Sequence, residues 1–66
     1  MVYKFKIYFN SINPITAIHA ATSLIEKKKI IKRFIRINKI KYNELSLLEV
    51  RKLTESEFFE ENIWKE

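Results

Sequence analysis

The chain has 66 residues and a net charge of +5, and it contains no cysteine, no aspartate and no glycine. A chain of this length forms at most one domain, residues 1–66, near the lower size limit for a fold without cross-links or bound metal. These absences exclude a disulfide framework, a thiolate zinc site and a glycine-rich phosphate loop. Hydrophobic residues make up 47% of the chain, so it is too apolar to be intrinsically disordered.

The N-terminal residues 1–6 alternate apolar and charged side chains, unlike the continuous apolar core of a signal peptide. No run approaches the roughly 18 apolar residues that a membrane span requires. We therefore expect a cytoplasmic protein with no membrane association. Ile, Lys and Asn together account for 26 residues, a bias that suggests an AT-rich genome, as in low-GC bacteria, their phages and mobile elements.

The first predicted element is a β-hairpin formed by residues 2–9 and 15–21. Along residues 2–9 apolar and polar side chains alternate, which is typical of a half-buried strand. One face carries Tyr3, Phe5, Ile7 and Phe9, and the other carries Lys4 and Lys6. The intervening segment 10–14 predicts a turn, because Asn and Ser favour turns and proline cannot join a central ladder.

A basic amphipathic helix is predicted over about residues 23–35. It begins at Ser23-x-x-Glu26, a capping box in which the hydroxyl and the carboxylate each accept a hydrogen bond from a free backbone N–H. Apolar residues recur at helical spacing, and cations fill most of the other face. The sequence does not determine where this helix ends, since residues 34–37 also fit the start of a strand.

Residues 45–53 fit a strand or a helix, and we favour a strand at about 46–53 that joins the hairpin, because a two-stranded ribbon is marginal alone. A second capping box, Thr54-x-x-Glu57, predicts a C-terminal helix at about 55–64. The predicted fold is α+β: a small single sheet, the hairpin plus a third strand, packed by one basic amphipathic helix. The order of elements is β-β-α-β-α, with a short C-terminal helix.

The two halves of the sequence carry opposite charge, net +9 in residues 1–41 and net −4 in residues 42–66. Six cations cluster in the predicted helix: Lys27, Lys28, Lys29, Lys32, Arg33 and Arg36. They predict a surface that contacts nucleic-acid phosphates or a partner, with Tyr8 and Tyr42 able to stack on bases if exposed. The alternative is a solvated helix face without a partner.

The acidic tail mixes glutamates with aromatic residues. Its candidate partner-binding residues are Phe58, Phe59, Glu60 and Trp64. Such a mixture is typical of segments that dock on basic, hydrophobic surfaces, and it also suits mimicry of nucleic-acid phosphate. The alternative is an amphipathic helix that packs its aromatic residues on the sheet of the same chain, with glutamates favoured in its first turn by the helix dipole.

His19 is the only histidine, and we expect it to be a half-buried strand residue. A single imidazole in a chain without Cys or Asp cannot build an ordinary zinc site or a catalytic triad. Adjacent glutamates such as Glu60 and Glu61 point in different directions on a helix, which argues against a general acid/base pair. The sequence predicts a protein that is not an enzyme and that needs no cofactor or metal.

The predicted function is therefore binding. The favoured hypothesis is a small phage or mobile-element accessory protein that docks on a larger host protein or nucleoprotein machine and modulates or inhibits it. The alternative is a module that contacts the phosphates of DNA or RNA through the helix at 27–36. A homodimer without a separate binding role is a third possibility.

Overall fold

A computed structural model of the chain describes the backbone of residues 2–64 and the side chains of residues 2–60. The elements in chain order are β1 (Tyr3–Phe9), β2 (Ile15–Ala21), α1 (Leu24–Ile37), a 3₁₀ helix (Tyr42–Leu47), β3 (Leu48–Lys52) and α2 (Glu55–Trp64). The strands form one antiparallel sheet in the order β2-β1-β3, which places β1 at the centre. The predicted α+β class, hairpin and β-β-α-β-α order are confirmed.

The alternation along β1 gives the sheet two different faces. Phe5 and Ile7 are completely buried on one face, and α1 covers them with Phe34. The opposite face of β1 presents Lys4 and Lys6, because successive side chains of a strand point to opposite sides. The residues buried together in the core are Phe5, Ile7, Phe9, Ala21, Phe34 and Ile40. The apolar face predicted from the sequence is thus the core face.

The start of α1 follows the predicted capping box with one difference. The Glu26 amide donates to the hydroxyl of Ser23 at 3.1 Å, as expected for an N-cap. The Glu26 carboxylate, however, reaches one residue further back and accepts from the Thr22 hydroxyl at 2.6 Å and the Thr22 amide at 3.2 Å. These three hydrogen bonds fix the direction in which the chain enters the helix.

α1 continues two residues beyond its predicted end. The Asn38 side chain donates to the Phe34 carbonyl at 2.9 Å, and the chain then reverses at Lys39, whose φ is 53°. This left-handed conformation is unusual for a residue with a side chain. It directs Ile40 back into the core, so burial of that isoleucine accompanies the reversal. Residues 34–37 are therefore helical, and they do not start a strand.

The third strand is shorter than predicted, because a 3₁₀ helix occupies residues 42–47. The Lys41 amide donates to the Glu44 carboxylate at 3.0 Å, and the Glu44 amide donates to the Lys41 carbonyl at 2.9 Å. These two hydrogen bonds close a tight local turn at the start of the 3₁₀ helix. That helix includes residues 46 and 47, where the strand was predicted to begin. β3 starts at Leu48, where pairing with Phe9 begins.

α2 packs on the face of the sheet opposite to α1. Its capping box is complete: Glu57 donates its amide to the Thr54 hydroxyl at 3.2 Å, and its carboxylate accepts from the Thr54 amide at 3.0 Å. Among the described residues, α2 forms ion pairs with Lys4 and Arg51, whose side chains lie on the face away from Phe5. The sheet therefore has a helix on each side.

Replacing Phe34 by Ala should lower the free energy of unfolding by about 3–5 kcal/mol, because it removes the main side chain that α1 buries on the sheet. Ile25→Ala on the same helix is the matched control: Ile25 is 69% exposed, so the free energy should change little. Urea unfolding followed by circular dichroism measures both. Equal losses in the two variants would contradict this description of the core.

Candidate binding surfaces

The outward face of α1 carries five exposed cations at helical spacing. Positions 28, 32 and 36 form one row, positions 29 and 33 form a second, and each step of four residues advances about 6 Å along the helix. We call this set the basic stripe: Lys28, Lys29, Lys32, Arg33 and Arg36. It faces away from the sheet, since Phe34 and Ile30 on the other side of α1 contact the core. The structure thus brings together five of the six cations that the sequence singled out.

Lys27, the sixth predicted cation, belongs to the packing of the domain. It is half-buried, and its Nζ lies 5.4 Å from the centroid of the buried Phe5 ring. An ammonium at this distance over an aromatic face is attracted by the ring quadrupole. The prediction that Lys27 shares the binding face is not supported by this position.

Two acidic residues of α2, Glu55 and Glu57, lie away from the basic stripe. Glu55 is 3.2 Å from Lys4, and Glu57 is 3.5 Å from Arg51, both on the opposite side of the sheet. Within residues 2–60, the stripe has no carboxylate within 4 Å. Exposed pairs of this kind add little stability, but they neutralise charge on the α2 side. The stripe therefore keeps its positive charge.

The candidate residues of the acidic tail are divided between packing and solvent. Phe58 is half-buried, with Lys4 Nζ 5.5 Å from its ring centroid. Phe59 is 66% exposed and Glu60 is also exposed. Trp64 ends α2, but its side chain lies outside the described residues. Phe58 therefore supports the interpretation that the helix packs on its own sheet, whereas Phe59 remains available on the surface.

A groove of about 460 Å³ lies between β2 and α1, and sequence analysis did not identify it. Ile15, Ala17 and His19 of β2 form one wall. Ile30 of α1 lies opposite, and Lys29 and Arg33 stand at the rim. The groove exists because Ala17 is too small to fill the space between the strand and the helix. Small residues facing the core on a predicted strand were the signal that could have revealed it.

The remaining singled-out side chains lie apart from one another. His19 is half-buried in β2, as predicted, with its ring centroid 6.0 Å from that of Phe5. Tyr42 is 91% exposed, but Tyr8 is half-buried on the α2 side of the sheet. Among residues 2–60 no three His or Glu side chains are grouped to hold a metal ion.

Comparison with protein-family models, curated protein sequences and solved structures finds no match for this chain. None of the helices within residues 2–64 has the length and apolar composition needed to cross a membrane.

Acid should weaken the starts of both helices. Hydrogen bonds from the Thr22 hydroxyl and then its amide lower the pKa of Glu26 below 4.5. Hydrogen bonds from the Thr54 amide and then its hydroxyl lower the pKa of Glu57 in the same way. A carboxyl whose pKa is lowered by folding contributes stability that is complete above its unfolded pKa and is lost as pH falls through the folded value. The Tm should therefore decrease below about pH 4.5.

The control for this prediction is the double variant Glu26→Gln/Glu57→Gln, which keeps hydrogen-bonding side chains that do not titrate. Its Tm should exceed or approach that of the wild type in acid and lie below it at neutral pH. Thermal unfolding by circular dichroism across this range measures the difference. Parallel pH profiles for the two proteins would contradict the role of these carboxylates.

Proposed function

We propose that this protein is a non-catalytic binding module that docks on an acidic surface of a larger host protein or nucleoprotein machine and modulates or inhibits it. The observation that supports the proposal is the basic stripe of α1, which faces solvent and lies on the other side of the sheet from the glutamates of α2. Separated charge of this kind steers association with partners of opposite charge.

Exposed apolar side chains beside the stripe favour a protein as the partner. Ile25 is 69% exposed and precedes Lys28, Lys29 and Lys32 by three, four and seven residues, so all four lie on one helix face. Ile37, at the other end of α1, is 66% exposed. A protein surface can bury such isoleucines together with the cations, whereas the phosphate backbone of a nucleic acid offers the isoleucines no apolar contact.

The second candidate function is binding of DNA or RNA phosphates by the same helix. It is favoured by the exposure of Tyr42, at 91%, in a segment that also carries Lys39 and Lys41. An exposed aromatic ring near cations suits stacking on unpaired bases. Binding of this kind would weaken steeply with salt, because each neutralised phosphate releases counterions.

The proposed setting is the cytoplasm of a low-GC bacterium, with the protein acting as an accessory factor of a phage or mobile element. The abundance of Ile, Lys and Asn supports this setting. The small size and the charge layout suit a factor that acts by occupying a surface of a larger assembly.

Two variants test the proposal when tagged protein is used to capture partners from a low-GC bacterial lysate, with and without nuclease, and the second of them distinguishes the two candidate functions. Lys28→Glu/Lys32→Glu should reduce capture at least about tenfold for either partner, since it reverses the centre of the stripe. Ile25→Ser should reduce capture of a protein and leave capture of nucleic acid unchanged. Quantitative mass spectrometry of the retained material measures both effects.

The control is Ile12→Ser, which changes a 98% exposed isoleucine in the loop between β1 and β2, outside α1, and should leave capture unchanged. Retention of one protein at near-stoichiometric yield after nuclease treatment supports docking on a protein. Loss of all retained material with nuclease, together with no effect of Ile25→Ser, overturns that proposal in favour of nucleic-acid binding.

A further inference from the structure

The outer edge of β2 has backbone groups without partners in the sheet. The Leu53 amide donates to the Lys4 carbonyl at 2.9 Å, and the Asn10 amide donates to the Leu47 carbonyl at 3.0 Å. Lys4, within β1, and Asn10, directly after it, thus direct their backbone groups to the β3 side, and so do the even-numbered residues between them. Because a strand directs its backbone groups to alternate sides, the odd-numbered residues of β1 must bond to β2.

The register between β1 and β2 then determines which backbone N–H and C=O groups of β2 do not bond to β1. Phe5 pairs with His19 and Ile7 pairs with Ala17, so the odd-numbered residues of β2 are bonded to β1. The N–H and C=O groups of Thr16, Ile18 and Ala20 point outward. Within the described part of the chain β2 is an edge strand that pairs with β1 alone. The outward groups form the pattern that an incoming strand would pair with.

This edge lacks the features that normally protect a strand from pairing. β2 has seven residues, contains no Lys, Arg, Glu or Pro, and pairs with β1 without a bulge. The other edge strand, β3, has only five residues, among which are Glu49, Arg51 and Lys52. Since charges and short length discourage pairing, the two edges differ in their capacity to accept a strand.

The groove beside β2 would receive the side chains of an added strand. Alternate residues of such a strand point to the α1 side, where Ile15 and Ala17 provide apolar contact. Lys29 and Arg33 stand above them at the rim, and both are exposed. The carboxylate that also lines the groove, Glu26, is engaged by Thr22. The rim is therefore positive and the floor apolar.

We propose that an extended acidic–apolar segment of the partner protein pairs with β2 as a fourth strand, with apolar side chains in the groove and carboxylates on Lys29 and Arg33. This inference rests on the proposed docking function and specifies how the partner is held. Two copies of the chain fit the edge less well, because pairing β2 with a second β2 brings the Lys29 and Arg33 of both copies to one side of the joint sheet.

The test uses a fluorescein-labelled synthetic peptide of nine alternating valine and glutamate residues, with a valine–lysine peptide of equal length as its control. Fluorescence anisotropy measures binding to the full chain. Amide exchange followed by NMR should show slower exchange at Thr16, Ile18 and Ala20 when the acidic peptide is bound. The valine–lysine peptide should bind at least about tenfold more weakly.

Thr16→Pro is the decisive variant. It removes an outward N–H and leaves the hydrogen bonds to β1 intact, and proline is tolerated on edge strands in this position. Affinity for the acidic peptide should fall at least about tenfold. Val50→Pro, at an outward position of the β3 edge, is the matched control and should leave affinity unchanged. Circular dichroism verifies that both variants fold.

Several results would overturn the inference: no binding of the acidic peptide at millimolar concentration, equal binding of the basic peptide, or unchanged affinity in Thr16→Pro. Analytical ultracentrifugation tests the alternative occupant. If the wild type dimerises and Thr16→Pro does not, the β2 edge binds a second copy of the chain instead. If a protein partner is still captured from the lysate after nuclease treatment and binds the Thr16→Pro variant as well as the wild type, the docking function is supported and strand addition is rejected.

Discussion

Burial of the aromatic and branched side chains of β1 beneath α1 is the interaction on which the rest of the molecule depends. Phe5 and Ile7 lose all contact with solvent, and each such side chain contributes about 1.5–3 kcal/mol through the area it removes from water. A chain of 66 residues has few other sites of complete burial. The position of α1 is therefore fixed by these residues together with Phe34, and the orientation of its cations follows from that position.

Opposite charges in the sequence become opposite surfaces in the fold because the two helices lie on different faces of one sheet. Lys4, on the face away from Phe5, holds α2 by an ion pair with Glu55 and by contact with the ring of Phe58. The glutamates of α2 therefore lie beyond the reach of the basic stripe. A sheet only one layer thick keeps the two sets of charge apart, and this separation is what gives the protein a surface suited to an anionic partner.

β2 combines small side chains that face the core with an outer backbone edge that pairs with no strand among the described residues. Its core-facing side includes Ala17 and Ala21, which contribute little volume, and α1 leaves a groove beside it. These small side chains leave space between β2 and α1, and the outer backbone edge of the same strand carries no charged residue. The two strands thus differ in role. β1 contributes Phe5, Ile7 and Phe9 to the core, whereas β2 has an open backbone edge next to cations of α1.

The sequence alone determined the elements whose signals are local. Alternation marked β1, and the hydroxyl–carboxylate pairs at Ser23 and Thr54 marked the starts of both helices, because capping depends on residues only three or four positions apart. The strand predicted at 46–53 is present but begins at Leu48, because a 3₁₀ turn closed by two hydrogen bonds between Lys41 and Glu44 occupies the residues before it.

Tertiary structure alone decided which residues of each predicted surface are available. Lys27 and Lys28 are neighbours in sequence, yet one lies over the Phe5 ring and the other faces solvent. Phe58 and Phe59 are divided in the same way between the sheet and the surface. The groove arises from how α1 crosses the sheet, and the open edge of β2 arises from the strand order β2-β1-β3. Contacts between distant segments set these features, and no pattern within a single segment records them.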